Sequence, residues 1–211
     1  MKTDELIELL AQDAAPSWPY RAVFLVAAIG GVVMSALVFH SFIGVRPDFD
    51  RALETVRFLF KFVLTIALAV GATGLALTMS RPGARRGRSL KALAVAPVLM
   101  AGAVALELAV RPSGTWEASM IGHNARFCLT LIPLLSLAPL ICLIAALRHG
   151  APTQPGLTGA VAGLGAAAIA ATFYAANCDD DSPLFVALWY PMAFALVAAA
   201  GCGLGRRFLT W

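Results

Sequence analysis

Charge along this chain falls in clusters, and the uncharged stretches between the clusters repeat in length. Arg21 to Arg46 encloses 24 residues without a Lys, Arg, Asp or Glu, Lys61 to Arg81 encloses 19, and Arg126 to Arg148 encloses 21. Lys91 to Arg111 encloses 19, interrupted only by Glu107, and Asp181 to Arg206 encloses 24. His149 to Asp179 leaves 29, of which Pro152, Thr153, Gln154 and Pro155 read as a turn. A helix rising about 1.5 Å per residue needs about 20 apolar residues to cross about 30 Å of hydrocarbon. Each gap therefore predicts one crossing, at about 22–44, 58–80, 92–110, 127–147, 157–177 and 184–205. Nothing alternates with the period of a membrane barrel. The expected fold is all-α, a polytopic membrane protein built as a bundle of six transmembrane helices.

Composition agrees: 60% of the 211 residues are apolar and 13% charged, against about 45–50% and about 25% in soluble domains. Four cysteines are too few for a disulfide scaffold. Asp4, Glu5, Glu8 and Asp13 stand where a signal peptide would carry positive charge, so the first span is expected to be retained. With the amino terminus inside, 10 of the 16 Lys and Arg fall on the cytoplasmic side and 6 outside, and the 81–91 loop carries most of the bias. Short basic loops stay inside, so both termini are expected to be cytoplasmic. The pI near 9.1 therefore reflects topology in a lipid bilayer, with no direct nucleic-acid contact. Outside the spans, residues 1–21, 46–61 and 111–126 are too short to bury a core. No Walker or Rossmann glycine pattern is present. The expectation is a protein that is not an enzyme and needs no cofactor, with a cytoplasmic amphipathic segment (1–20) and a transmembrane domain (21–211).

Several residues carry candidate chemistry. Cys128 begins the fourth span and Cys178 follows the fifth, so topology puts both thiols at one membrane level. Cys142, 14 residues further on, lies about 21 Å deeper. A disulfide needs Cα atoms within about 7 Å, so Cys128 can pair with Cys178 but not with Cys142. Cys142 and Cys202 are more simply small core residues; for Cys128 and Cys178 inert packing is the alternative, and their place at the interface, where oxidant can reach them, favours chemistry. His40 and His123 fall near the same level, beside Asp179, Asp180 and Asp181. They are weak metal candidates, because no His-x3-His or Cys-x2-Cys spacing appears. Glu107 is the one carboxylate inside a span, and Arg111, four residues on, suffices to neutralise it. Asp48 or Asp50 is expected to cap a helix running into the second span, with Glu54 and Arg57 spaced to pair. Gly159, Gly163, Gly201 and Gly205 predict close helix packing within the bundle. In the first residues, Leu6, Leu9 and Leu10 recur at helical spacing while Asp4, Glu5, Glu8 and Asp13 dominate the other face. Such a helix suits a basic protein groove better than an anionic membrane, although a self-packed terminus would read the same way.

The opening Met1-Lys2-Thr3-Asp4 through Asp13-Ala14-Ala15-Pro16 resembles the NrsF-type anti-sigma-F factors of proteobacteria. So do Leu135–Leu140, Ala146–Pro152 and the stretch from Cys178 through Asp181-Ser182-Pro183 to Trp189-Tyr190. The likeness runs along the whole chain, with Asn177 standing where members often carry His. It implies an inner-membrane protein that sequesters an extracytoplasmic-function (SigF-like) sigma factor. It also implies a cysteine pair that senses oxidative or metal stress, carried over by position to Cys128 and Cys178. The sigma-binding residues would be Asp4, Glu5, Leu6, Glu8, Leu9, Leu10 and Asp13. The alternative is a small metal-handling or transport membrane protein using His40, His123, Cys128 and Glu107.

Overall fold

A computed structural model describes Thr3, Glu5 and residues 18–210. Within 18–210 there are eight α-helices: α1 (Tyr20–Phe42), α2 (Phe49–Leu53), α3 (Val56–Met79), α4 (Gly87–Val110), α5 (Trp116–Ile121), α6 (Ala125–Leu147), α7 (Pro155–Ala175) and α8 (Pro183–Phe208). Six of them, all but the short α2 and α5, are long and apolar enough to cross a membrane. Five begin within two residues of the position that charge spacing predicts. The exception is α4, which starts at Gly87, so that Arg88 and Lys91 lie on the helix rather than in a loop. Nothing in Arg-Ser-Leu-Lys opposes helix, and the preceding Pro82 and Gly83, with Gly83 at φ 76°, already end the loop.

The expected single helix over 46–61 is broken in two. Asp48 stands at the start of α2 but makes no capping bond, because Arg46 holds its carboxylate at 2.6 and 2.7 Å. Thr55 is extended, which separates α2 from α3, and Arg57 reaches Glu107 on α4 at 2.9 Å rather than Glu54.

The core is where α7 packs, flanked by α8, α3 and α6. Its small residues set the spacing. A Cβ added at Gly159 would lie 2.7 Å from Gly205 Cα, and one at Gly163 would lie 2.9 Å from Ala198 Cα. The glycine pattern is thus an α7–α8 seam inside one chain. Helix α4 is peripheral, burying only Ala96 and Glu107. Exposed Val26, Ile29, Leu37, Val70, Val98, Leu106, Ile141 and Leu196 form an apolar girdle wide enough to face hydrocarbon.

Hydrogen bonds mark the two ends of the bundle. At one end the Tyr20 hydroxyl donates to Ser80 Oγ at 2.7 Å, and Ala151 N–H donates to the Ser80 carbonyl at 2.9 Å. This basic end also holds Arg81, Arg85, Arg86 and Arg206. At the other end Arg46 N–H donates to the Ala176 carbonyl, and Trp189 Nε1–H donates to the Met120 carbonyl. The thiols lie there.

Candidate functional site at the cysteine end

Cys128 occupies the first turn of α6, and Cys178 lies in the irregular segment 176–182 between α7 and α8. Both are reduced and fully buried in the same core cluster, and the Cys178 thiol donates to the Asp180 carbonyl at 3.9 Å. Asn124 ends the preceding turn and accepts the Cys128 N–H at 2.8 Å, fixing the start of α6. Tyr174 on α7 bridges the two cysteines: its carbonyl accepts the Cys178 N–H at 3.0 Å, and its hydroxyl donates at 3.4 Å to the Asn124 carbonyl that accepts the Cys128 N–H. Cys142 and Cys202 are elsewhere, both half-buried. Cys142 lines a groove with Trp18, Val23 and His149 near the basic end.

Charge, rather than apolar packing, holds the Cys178 segment. Lys61, on the second turn of α3, is 1% exposed. Its ammonium donates to the Cys178 carbonyl at 2.8 Å and lies 2.6 Å from Asp181 Oδ1. Arg46 meets the other Asp181 oxygen at 2.9 Å and reaches the Cys178 carbonyl at 3.4 Å. Both cations stack on Phe58, at 5.3 Å for Lys61 and 5.7 Å for Arg46. Hydrogen bonding to Asp48 first, and to Asp181 as well, pushes the Arg46 guanidinium above its ordinary pKa. Reciprocally, Arg46 holds the Asp48 carboxyl below the usual range. On the opposite side Asp180 accepts the His123 and Asn124 N–H groups at 2.8 and 2.7 Å, while Asn124 Nδ2–H donates to Asp179. Asn177 donates to the Gly44 carbonyl at 3.1 Å. The three consecutive aspartates thus tie the Cys178 segment to three different parts of the chain. The Cys178 thiol is held below its ordinary pKa by the hydrogen bond from Cys128 and by the Lys61 ammonium, against the opposing effect of burial.

The other sequence candidates do not join this cluster. His40 packs edge-on against Phe39. His123 points outward, with its side chain 92% exposed and Nδ1 3.7 Å from Asp180 Oδ1. Among the described residues, no three His, Cys, Asp or Glu side chains converge into a metal-binding group. Glu107 is paired as the sequence suggests, with Arg111 Nε at 2.9 Å, and additionally with Arg57. Spacing could not reveal Arg57, which comes from another helix 50 residues away. It could not reveal the Lys61 and Arg46 clamp either, whose only sequence signal is a basic residue inside an apolar run. Glu5 is helical and exposed, whereas Asp4, Leu6, Glu8, Leu9, Leu10 and Asp13 lie outside the described residues.

The family model described as "Negative regulator of sigma F" (NrsF) matches residues 10–211. The chain belongs to the NrsF family. Anti-sigma-F factor NrsF of Caulobacter vibrioides (strain NA1000 / CB15N) is 33% identical to it over 218 residues, covering 100% of both chains. A probable anti-sigma-F factor NrsF of Azospira oryzae (strain ATCC BAA-33 / DSM 13638 / PS) is also 33% identical, over 214 residues and again 100% of both. No solved structure matches. Membership gives the chain a sigma-regulator family. At the cysteine end of the bundle, the buried thiol pair and its charged clamp stand beside the Glu107–Arg57–Arg111 ion pairs.

Proposed function

We propose that this chain is an anti-sigma factor of the bacterial inner membrane, both termini cytoplasmic, whose Cys128–Cys178 pair controls its hold on an extracytoplasmic-function sigma factor. The observation that carries the reading is the burial of two reduced thiols from two different elements in one core, bridged by Tyr174 and Asn124, in a chain matched end to end by anti-sigma-F factors. Two buried thiols brought into one core from different elements support disulfide formation between them. The basic 81–91 segment supports placing that end in the cytoplasm, and the thiols then face the periplasm, where disulfides form readily.

With the thiols reduced, residues 1–15, presented at the basic end, bind the sigma factor and keep it from polymerase; Asp4, Glu5, Glu8 and Asp13 supply charge and Leu6, Leu9 and Leu10 the apolar face. Joining Cys128 to Cys178 pulls the first turn of α6 onto the segment after α7 and rebalances two arrangements of the bundle. The test is co-purification of the cognate sigma factor with the full chain in detergent, reduced and oxidised, with and without residues 1–15. Binding that needs the segment and weakens on oxidation is the expected result. Binding indifferent to oxidation would sink the switch, and no binding in any state would sink the anti-sigma assignment for this chain.

A further inference from the structure

The two thiols of the proposed pair sit in unlike surroundings, and this inference rests on the reading of them as a sensing pair. Cys128 is helical, with no charged group among the described residues bonded to its own backbone. Cys178 is in irregular backbone whose own carbonyl receives a buried ammonium at 2.8 Å. A thiolate rather than a thiol is the nucleophile, and a buried anion needs a nearby counter-charge. Lys61 is that counter-charge, and it comes from an element carrying neither cysteine.

We propose that Cys178 is the attacking thiol, Cys128 the resolving thiol, and Lys61 the positioning residue that keeps Cys178 reactive. The charged and titratable groups around Cys178 are Lys61 from α3, Arg46 before α2, Asp180 and Asp181 from its own segment, Cys128 from α6, Tyr174 from α7 and Tyr190 from α8. Asp181 is engaged by both Arg46 and Lys61, and Asp180 by the N–H groups of His123 and Asn124. Asp180 is thus partly neutralised by two amides, and Asp181 is shared between two cations, so that it does not fully offset Lys61 beside Cys178. The depressed pKa of Cys178 agrees. With a small peroxide as oxidant, the Cys178 thiolate attacks one peroxide oxygen and the O–O bond breaks. Cys178 becomes a sulfenic acid, and the leaving oxygen takes a proton to depart as water or alcohol. The Cys128 sulfur then attacks the Cys178 sulfur, its proton leaves with the hydroxyl as water, and the S–S bond closes. The peroxide gains two electrons and the two thiols lose them.

The test is alkylation of the full chain in detergent by iodoacetamide, in a Cys142→Ser, Cys202→Ser background, with the labelled residue assigned by mass spectrometry across pH 6–10. Cys178 is expected to be labelled first. Lys61→Met is expected to slow that labelling at pH 7 at least tenfold and to move the rate–pH curve to higher pH, with Lys61→Arg restoring both. Hydrogen peroxide on Cys128→Ser protein is expected to leave a sulfenic acid on Cys178. Equal or earlier labelling of Cys128, or an unmoved rate–pH curve in Lys61→Met, would overturn the assignment. If Lys61→Met does not purify as a folded species, Asp180→Asn decides: it keeps an acceptor for the His123 and Asn124 amides and removes a negative charge, so labelling should accelerate. Unchanged or slower labelling overturns the assignment. Labelling order is read without any sigma factor, so loss of this asymmetry and loss of the sigma switch are separate outcomes.

Discussion

The α7–α8 seam makes a quantitative test of the fold. Replacing Gly159 with Ala places a Cβ 2.7 Å from Gly205 Cα and against the Gly201 carbonyl, all of it backbone. Carbon atoms in contact prefer about 3.5–4.0 Å, so the helices must separate by roughly 0.5–1 Å there. Overpacking of this kind costs about 1–3 kcal/mol. Against it stands the gain of about 0.5–1 kcal/mol from Gly to Ala inside a helix. The same substitution at Gly203, on α8 but with nothing within 4 Å, keeps the gain and escapes the clash. The two variants share chemistry, so their difference isolates the seam and should come to roughly 1–3 kcal/mol, with Gly159→Ala the less stable. Thermal unfolding in one detergent, followed by circular dichroism or by burial of a thiol-reactive dye, measures it. Equal midpoints for Gly159→Ala and Gly203→Ala would refute the close approach of α7 and α8.

Other predictions follow from the polar sites. Cys178→Ser should retain sigma binding and lose the response to oxidant, read by co-purification; a variant that still responds removes the disulfide from the mechanism. Deletion of residues 1–15 should abolish co-purification of the sigma factor while leaving the helical signal of the bundle unchanged. Replacing Arg57 and Arg111 together with Met strands the Glu107 carboxylate, which is 5% exposed, and should cost about 3–5 kcal/mol by thermal unfolding, whereas adding Glu107→Met to that variant should recover most of it. Asp181→Ala leaves Lys61 and Arg46 without their shared carboxylate and should speed hydrogen exchange in residues 43–55 and 176–182, with little change in α8.

Much of the architecture was legible in the sequence because a hydrocarbon solvent imposes one rule, that charges sit at the ends of spans. That rule located the helices, and topology alone put Cys128 and Cys178 at one level. Where charges do more than mark boundaries, the rule loses resolution. Lys61 reads as the edge of a span, yet it is inside the fold because Asp181 and a backbone carbonyl satisfy it. Arg88 and Lys91 read as loop, yet they continue α4, since a peripheral helix can extend its polar end beyond the apolar stretch. Asp48 reads as a helix cap, yet Arg46, two residues earlier, competes for its oxygens and wins with two bonds. Only the Lys61 miss is a pairing between distant segments, of which the periodicity of one segment carries no record; the other two are local, a helix that runs past its apolar stretch and a neighbour that competes for a cap.

On the proposed reading, the geometry also bounds how strongly the outer thiols can act. A disulfide contributes typically about 2–4 kcal/mol, a factor of roughly 30–900 in an equilibrium. Complete reversal from 99:1 to 1:99 needs about 5.5 kcal/mol. Starting from 99:1, closure of the pair alone would leave between roughly three-quarters and one-tenth of the chains competent to bind. On that reading α3 offers the coupling a route. The Cys178 segment is bonded to Lys61 at one end of α3, and Ser80 at the other end of α3 is bonded to Tyr20 and Ala151. A graded response to oxidant dose follows, with a plateau short of full release; a sharp, complete release would require a second energy source, such as loss of the bound sigma factor to polymerase.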